Sequence, residues 1–184
     1  MRKDEIPLMK RLVNRYNSIV NFLWSILLLT PITIFCYTEM SVRLILIFLT
    51  ASLLTVFLPT SFFDALILKN KMLYKKIGLG FINRFTQNGM IVNRLIRKKI
   101  PDYQVVSGRS SSIHKLVSQS YMFEKFHFLL FIFFLLAIVY ALMKSLFIWS
   151  FILFVCNILY NVYPILLQHY IRGRLKIFTA KNKS

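Results

Sequence analysis

The sequence predicts an all-α integral membrane protein with four transmembrane helices in two hairpins and amphipathic interfacial helices in a cytoplasmic loop. Of the 184 residues, 57% are hydrophobic, which leaves too little polar surface for a soluble domain of this length. The hydrophobic residues gather into runs close to the roughly 20 residues that a helix needs to cross a bilayer. Most basic residues lie outside those runs. The whole chain, 1–184, is therefore predicted to form a single membrane domain.

Four hydrophobic runs form the predicted spans: 19–37, 42–59, 126–143 and 146–167. Very short connections join the first run to the second and the third to the fourth, so each pair predicts a helical hairpin. The first three runs lack the polar face of helices in a water-soluble bundle, which favours spanning helices. The first run is not interpreted as a signal peptide, because its apolar stretch is too long and no small-residue cleavage site follows.

The distribution of basic residues predicts that both termini and the long loop are cytoplasmic. Five basic residues precede the first run, twelve lie from Lys69 to Lys125, and five follow the fourth run. Only Arg43 and Lys144 lie in the short connections on the other side. By the positive-inside rule, the segments rich in Lys and Arg remain in the cytoplasm. The formal net charge of +18 is thus interpreted as membrane topology and contact with anionic lipids, not as nucleic-acid binding.

The long loop, residues 61–123, mixes apolar and basic residues in a helical pattern. Leu66, Leu73 and Ile77 are spaced for one helical face, and the neighbouring lysines mostly lie off that face. This pattern predicts a helix in the membrane interface, with its apolar side in lipid and its basic side toward the headgroups.

Further sequence features predict where helices begin and end in this loop and at the C-terminus. Gly78 and Gly80 are expected to end the first amphipathic helix. Residues 90–100 repeat the amphipathic pattern, and a helix is expected to run from Ile113 into the third span. Residues 168–184 are predicted to form a basic cytoplasmic tail.

Motifs of common enzyme classes and cofactor sites are missing from the sequence. It contains no GxSxG, P-loop, HExxH or GxGxxG pattern. Cys36 and Cys156 lie inside apolar runs and form neither a CxxC pattern nor a disulfide framework. The sequence therefore predicts no cofactor and no metal site.

Glu124 and His127, at the cytoplasmic edge of the third span, are the candidate catalytic residues. Positions three apart share one helical face, and a carboxylate beside an imidazole fixes its tautomer and raises its basicity. This is the arrangement of a general base. One alternative is a pair that simply faces water. Another is metal ligation, since Glu-x-x-His occurs in di-iron bundles, but those need more carboxylates than a chain with six acids offers.

The fourth span carries a polar stripe at steps of four, three and four residues: Asn157, Asn161, Pro164 and Gln168. Amides inside a bilayer need hydrogen-bond partners, because each unsatisfied group costs several kcal/mol. Two compatible interpretations remain open. The stripe holds helices together, or it lines a cavity for the polar group of an amphiphilic substrate. Pro164 is expected to loosen the helix.

Basic residues follow where the fourth span leaves the membrane. Arg172 and Arg174 are suited to holding a phosphate or carboxylate through paired donors. The alternative is ordinary anchoring of the helix end by basic residues.

Residues 157–175, NILYNVYPILLQHYIRGRL, resemble the C-terminal signature of the glycosyl-4,4′-diaponeurosporenoate acyltransferase family. Members typically end their last span with an Asn, a Pro, a Gln-Arg-Tyr-Asn-Arg run and a further Arg. The matching positions are Asn161, Pro164, Gln168, Tyr170, Arg172 and Arg174. His169 replaces the usual Arg, and Ile171 the usual Asn. Residues 123–127 (FEKFH) and 74–85 (YKKIGLGFINRF) resemble two further family segments, so the resemblance covers roughly residues 70 to 175.

The resemblance implies a membrane-bound acyltransferase that moves a fatty acyl chain from a cytoplasmic thioester donor to a hydroxyl of a lipid-like acceptor, a glycosylated carotenoid or another glycolipid. We hypothesise that His127, oriented by Glu124, removes the proton of that hydroxyl. Asn161 and Gln168 would hold the acceptor's polar group or the oxyanion, and Arg172 and Arg174 the donor's phosphates. The full expected substrate-binding set is Asn157, Asn161, Gln168, Tyr170, Arg172 and Arg174.

The competing class is a non-catalytic membrane protein that assembles other subunits or binds lipid. In either case the sequence predicts a multi-pass protein of the bacterial inner membrane, in contact with the lipid bilayer.

Overall fold

The computed structural model describes residues 5–67, 71–82, 84, 89–101 and 110–181, and every regular element within these ranges is helical. A 3₁₀ turn, Leu54–Phe57, extends α2, and a π-helical turn, Ile158–Val162, joins α8 to α9. The helices are α1 (Glu5–Glu39), α2 (Val42–Leu53), α3 (Thr60–Ala65), α4 (Lys71–Lys76), α5 (Leu79–Ile82), α6 (Met90–Lys99), α7 (Ser110–Met143), α8 (Phe147–Asn157) and α9 (Tyr163–Lys181).

Three helical segments of the described chain are long and apolar enough to cross a membrane: Met9–Glu39, Ile113–Met143 and Phe147–Leu175. Large apolar side chains cover their outer surfaces, as expected for helices in contact with lipid. Examples are Phe22, Leu23, Leu27, Phe147, Ile148 and Phe151. The prediction of an all-α membrane protein is therefore confirmed for the described residues. The helix expected to run from Ile113 into the third span is also confirmed, as part of α7.

The predicted second span is shorter than the other three. α2 has 12 residues and its 3₁₀ turn adds 4, which gives about 24 Å at about 1.5 Å per residue, against roughly 30 Å of hydrocarbon. The turn ends at Leu58, whose extended backbone (ψ 133°) is the conformation that the following Pro59 favours. Helix length alone thus does not show a fourth crossing.

The main hydrophobic core lies where α1, α7 and α8 meet. Phe35, Phe134 and Leu153, one from each helix, have no exposed surface. The hydroxyl of Tyr140 donates to the carbonyl oxygen of Glu39 at 3.0 Å, which places the ends of α1 and α7 side by side. α2 also packs on α7, with Leu44, Ile45 and Phe48 against the same core.

The α7–α8 connection is a tight turn centred on Ser145, which has a left-handed backbone (φ 59°). The amide of Ser145 donates to the carbonyl of Leu142, and the amide of Leu146 donates to the carbonyl of Ala141. These are the two hydrogen bonds of a Schellman motif, which ends a helix and reverses the chain. The short connection therefore forms the second predicted hairpin.

α1 is long enough to extend beyond the membrane. Its 35 residues span about 52 Å, against roughly 30 Å of hydrocarbon. The buried face of α6, formed by Val92, Ile96 and Ile100, packs on the N-terminal part of α1. The predicted amphipathic helix is present, but its buried face contacts α1 instead of lipid.

The first amphipathic segment of the loop packs through a different face from the one predicted. Leu66 and Ile77 are exposed, and the side chain of Leu73 lies outside the described part of the structure. Tyr74 and Leu79 are buried instead, against Leu167 and its neighbours on α9. Contact with α9, which the local spacing does not reveal, selects this face.

Gly78 and Gly80 were expected to end the first amphipathic helix, and the structure agrees at Gly78 only. α4 ends just before Gly78, which has the left-handed backbone (φ 76°) that favours glycine. Gly80 lies inside α5 and does not end a helix.

Candidate functional site

The candidate site lies between α7 and α9, at the end of the bundle opposite the α7–α8 turn. Glu124 lies about 28 Å along the helix axis from Met143, at about 1.5 Å per residue. A site at this depth is near the edge of a hydrocarbon layer roughly 30 Å thick. Glu124 and Arg172 have no exposed surface, and His169 is 2% exposed.

Glu124 is the centre of a buried ionic cluster. Its Oε1 accepts a hydrogen bond from His169 Nε2, and its Oε2 pairs with Arg172 Nη1. His169 and Arg172 are three residues apart, so both project from one face of α9 toward α7. Burying a charge costs several kcal/mol unless it is well paired. The packing of α7 against α9 therefore depends on this pairing.

Arg172 has further partners around its guanidinium group. Nη1 also donates to Ser120 Oγ at 3.3 Å, and Nε lies 3.8 Å from Asp64 Oδ1. The ring of Tyr121 stacks on the guanidinium, with 4.3 Å between its centroid and Cζ. The hydroxyl of Tyr121 donates to both carboxylate oxygens of Asp64 at 2.9 Å. The short helix α3 is thereby fixed to α7 and α9.

His127 does not pair with Glu124, contrary to our hypothesis from the sequence. The Glu124 oxygens bind residues of α9, because α9 packs on the face of α7 that carries Glu124. One helical turn further along α7, the ring of His127 lies 5.6 Å from that of Tyr160. His127 also faces the side chain of Asn161.

The amides of the predicted polar stripe form a hydrogen-bonded chain. Asn161 Nδ2 donates to Asn157 Oδ1 at 2.8 Å, and Asn157 Nδ2 donates to the carbonyl oxygen of Phe131 on α7 at 3.3 Å. The hydroxyls of Tyr160 and Ser25 share a hydrogen bond of 2.9 Å, which reaches α1. Interhelical hydrogen bonding therefore accounts for Asn157.

The π-helical turn changes which residues of α9 face the cluster. The amide of Tyr163 donates to the carbonyl of Ile158, five residues earlier, just before Pro164. Proline cannot donate a hydrogen bond, and its ring clashes with the carbonyl four residues back, so a wider turn fits here. The extra residue in this turn shifts the later residues of α9 by about one position. His169 is therefore buried, while Gln168 is only partly buried.

Several buried polar atoms near these residues have no hydrogen-bond partner among the described residues. They are His127 Nδ1, Asn161 Oδ1, His169 Nδ1 and Arg172 Nη2. Buried polar groups are nearly always satisfied in folded proteins. A bound molecule with polar groups of its own would satisfy them.

The remaining predicted residues lie away from Glu124. Gln168 contributes its backbone carbonyl, which accepts a hydrogen bond from Ser120 Oγ at 3.3 Å. The ring of Tyr170 lies 5.9 Å from that of Tyr74 on α4. Arg174 is exposed, and its Cζ lies 5.8 Å from the centroid of the Tyr170 ring. Tyr170 and Arg174 thus form a second patch, toward α4.

Four residues of the site were not identified from the sequence: Asp64, Ser120, Tyr121 and Tyr160. Asp64 carried a usable signal, because it is one of only six acids and lies just after a predicted span. Ser120 and Tyr121 precede Glu124 by four and three residues, which places all three on one helical face.

Among the residues that the structure describes, no group of three or more His, Cys, Asp or Glu side chains is placed to hold a metal ion. The family model for glycosyl-4,4′-diaponeurosporenoate acyltransferase matches residues 59–181. Comparison with curated proteins and with solved structures gives no match. The matched range contains α3 to α9, and with them Asp64, Glu124, His169 and Arg172.

Proposed function

The chain belongs to the glycosyl-4,4′-diaponeurosporenoate acyltransferase family, and we propose that it transfers a fatty acyl chain from a thioester donor to a hydroxyl of a lipid-like acceptor. The acceptor is a glycosylated carotenoid or another glycolipid. One observation carries the proposal: the family match includes a buried ionic cluster at one end of an apolar bundle. Ionisable residues inside a membrane bundle are costly and mark functional sites.

His127 is the proposed general base. Its Nδ1 and the Oδ1 of Asn161 are both buried without a partner among the described residues, and the two side chains face each other. A hydroxyl bound beside them would donate its proton to Nδ1. The hydroxyl oxygen then attacks the thioester carbonyl carbon, a C–O bond forms, and the C–S bond breaks. The leaving thiolate takes the proton back from the imidazolium.

Glu124 has a positioning role in this proposal. Its pairs with His169 and Arg172 fix α9 against α7, and α9 continues directly from the turn that carries Asn161. Arg172 Nη2 has no hydrogen-bond partner among the described residues and is available to a carbonyl oxygen or an oxyanion. In this proposal the exposed Arg174, beside Tyr170, binds the phosphates of the donor. Gln168 lies at the edge of the acceptor site.

We place α2 and its 3₁₀ turn across the membrane as the fourth crossing. The N-terminal end of this segment follows Glu39, whose carbonyl oxygen accepts a hydrogen bond from Tyr140. Near its C-terminal end, the carbonyl oxygen of Val56 accepts a hydrogen bond from Lys125 at 2.9 Å. The segment thus runs beside the length of α7 between Lys125 and Tyr140, about 22 Å. With this crossing, only Arg43 and Lys144 of the 24 basic residues lie on the far side, as the positive-inside rule favours. The basic end is then cytoplasmic, in a bacterial inner membrane.

Mass spectrometry of lipids and pigments from cells with and without the gene tests this function. We expect one species to lose an acyl chain in the deletion strain and its unacylated precursor to accumulate, which also identifies the acceptor. Unchanged lipids and pigments would contradict the acyltransferase function and favour a non-catalytic assembly or lipid-binding subunit.

A further inference from the structure

The N-terminal part of α1 extends past the membrane. Counted back from Glu39, a hydrocarbon layer of roughly 30 Å takes about 20 residues and ends near Val20. Lys10 and Arg11 then lie about 14 Å beyond the hydrocarbon, and the headgroup layer accounts for only about 6 Å of that distance. Both side chains are exposed.

α6 adds more positive charge to the same part of α1. It packs on Met9, Leu12, Val13, Tyr16 and Val20, and its outward side chains include the exposed Arg94, Lys98 and Lys99. The sequence has no Asp or Glu between Glu5 and Glu39, and none between Asp64 and Asp102. We call the surface formed by five of these residues the basic arm: Lys10, Arg11, Arg94, Lys98 and Lys99.

Two observations separate the basic arm from an ordinary headgroup-binding surface. A helix that binds at a membrane surface buries its apolar face in lipid, whereas the apolar face of α6 formed by Val92, Ile96 and Ile100 is buried on α1, and its exposed apolar residues are Met90, Ile91 and Leu95. Attraction to anionic lipids also falls off within a Debye length, about 10 Å at 0.1 M salt. Lys10 and Arg11 face water about 8 Å beyond the headgroup layer, close to one Debye length, where that attraction is reduced to about half.

We propose that the basic arm docks a soluble acidic carrier protein that delivers the acyl chain as a thioester. This inference rests on the proposed acyl transfer. The arm lies at the same end of the bundle as Glu124, because the opposite ends of α1 and α7 meet at Glu39 and Tyr140. Positive charges spread over two helices complement a protein surface, and such complementarity speeds and orients association. A small thioester with a few phosphates needs only a compact site such as the one around Arg174.

The test uses the full-length protein in nanodiscs of neutral lipid and a fluorescent, palmitoyl-loaded bacterial acyl carrier protein. We expect replacement of all five arm residues by Gln to raise Kd at least about tenfold. Lys98→Gln with Lys99→Gln should raise it by a smaller factor. The matched control, Arg43→Gln with Lys144→Gln, removes two charges at the opposite end and should leave Kd unchanged. Wild-type Kd should rise with salt.

Transfer from palmitoyl-coenzyme A to host lipid extract separates this inference from the proposed function. The five-residue variant should retain that rate, because the arm lies outside the site. Unchanged carrier binding in the variant would overturn the inference, and so would loss of co-purified anionic lipid without any change in carrier binding. If carrier binding depends on the basic arm but no acyl chain is transferred from either donor, the docking inference is supported and the proposed function is overturned.

Discussion

The guanidinium carbon of Arg172 lies 4.3 Å from the centroid of the Tyr121 ring, and the hydroxyl of that tyrosine donates to both oxygens of Asp64. The aromatic ring covers one face of the guanidinium, and the carboxylates of Glu124 and Asp64 lie at its edges. A planar guanidinium held in this way has little freedom left to lose when it binds a further acceptor.

Tyr121→Phe should distinguish the contribution of the Tyr121 hydroxyl to stability from that of its ring. The variant keeps the cation–π contact but removes both hydrogen bonds to Asp64, so we expect the free energy of unfolding to fall by about 1–3 kcal/mol. Tyr121→Leu also removes the ring and should lose about 0.5–2 kcal/mol more. Reversible unfolding in mixed detergent micelles measures both. Equal stability of the Phe variant and the wild type would show that the Asp64 contact contributes nothing.

Glu124→Gln should destabilise the bundle strongly. The variant keeps the side-chain shape but leaves the buried Arg172 without its main counter-charge, and breaking a buried ion pair costs about 3–5 kcal/mol. The same unfolding experiment measures this loss. Glu39→Gln is the matched control, because Glu39 is an exposed acid at the opposite end of the bundle. If the two variants unfold alike, the Glu124 cluster does not hold α9 to α7.

Two substitutions at His169 distinguish a positioning residue from a base. Arginine can donate to Glu124 as histidine does, so His169→Arg should retain most of the acyl-transfer rate. His169→Leu removes the donor and should lower both the rate and the stability, by about 1–3 kcal/mol for the latter. A His169→Arg variant that folds normally but has lost all activity would make His169 the catalytic base in place of His127.

The side-chain amides of Asn157 and Asn161 should respond differently to replacement by leucine. Asn157→Leu removes the bond to the Phe131 carbonyl and the acceptor of Asn161 Nδ2, so it should cost about 1–3 kcal/mol of stability, with a smaller effect on kcat than Asn161→Leu. Asn161→Leu should lower kcat/KM well beyond its effect on stability, since Asn161 faces His127. Rates and unfolding midpoints measured on the same preparations compare the two. If both variants lose activity only in proportion to their loss of stability, the non-catalytic function is favoured.

The sequence predicted the helical membrane fold because long apolar runs and clustered basic residues report directly on a bilayer. The short second run was harder to interpret, since its 16 helical residues are fewer than the roughly 20 that a spanning helix needs. The amphipathic segments were identified as helices, but their packing partners were not. Local spacing shows that a helix has an apolar face, and only the tertiary structure shows whether lipid or α1 covers that face.

The sequence singled out Glu124, Asn157 and Asn161 as polar residues in or beside apolar runs, and all three are buried. It failed on their partners, because the i, i+3 rule places Glu124 and His127 on one face without showing which side chains pack there from α9. The polar stripe was extended to Gln168 on regular helical spacing. The π-helical turn before Pro164 adds one residue, so His169 and Arg172 face Glu124 instead. Asp64 is distant in sequence and reaches the site only through α3.

Complementation of a deletion strain, read out by mass spectrometry of lipids and pigments, tests the proposed role of His127 most directly. His127→Gln keeps the size and polarity of the side chain but cannot act as a base at neutral pH. We expect wild type and His169→Arg to restore the missing acylated species, while His127→Gln leaves its precursor unacylated at equal protein abundance. Full restoration by His127→Gln would contradict the proposed chemistry.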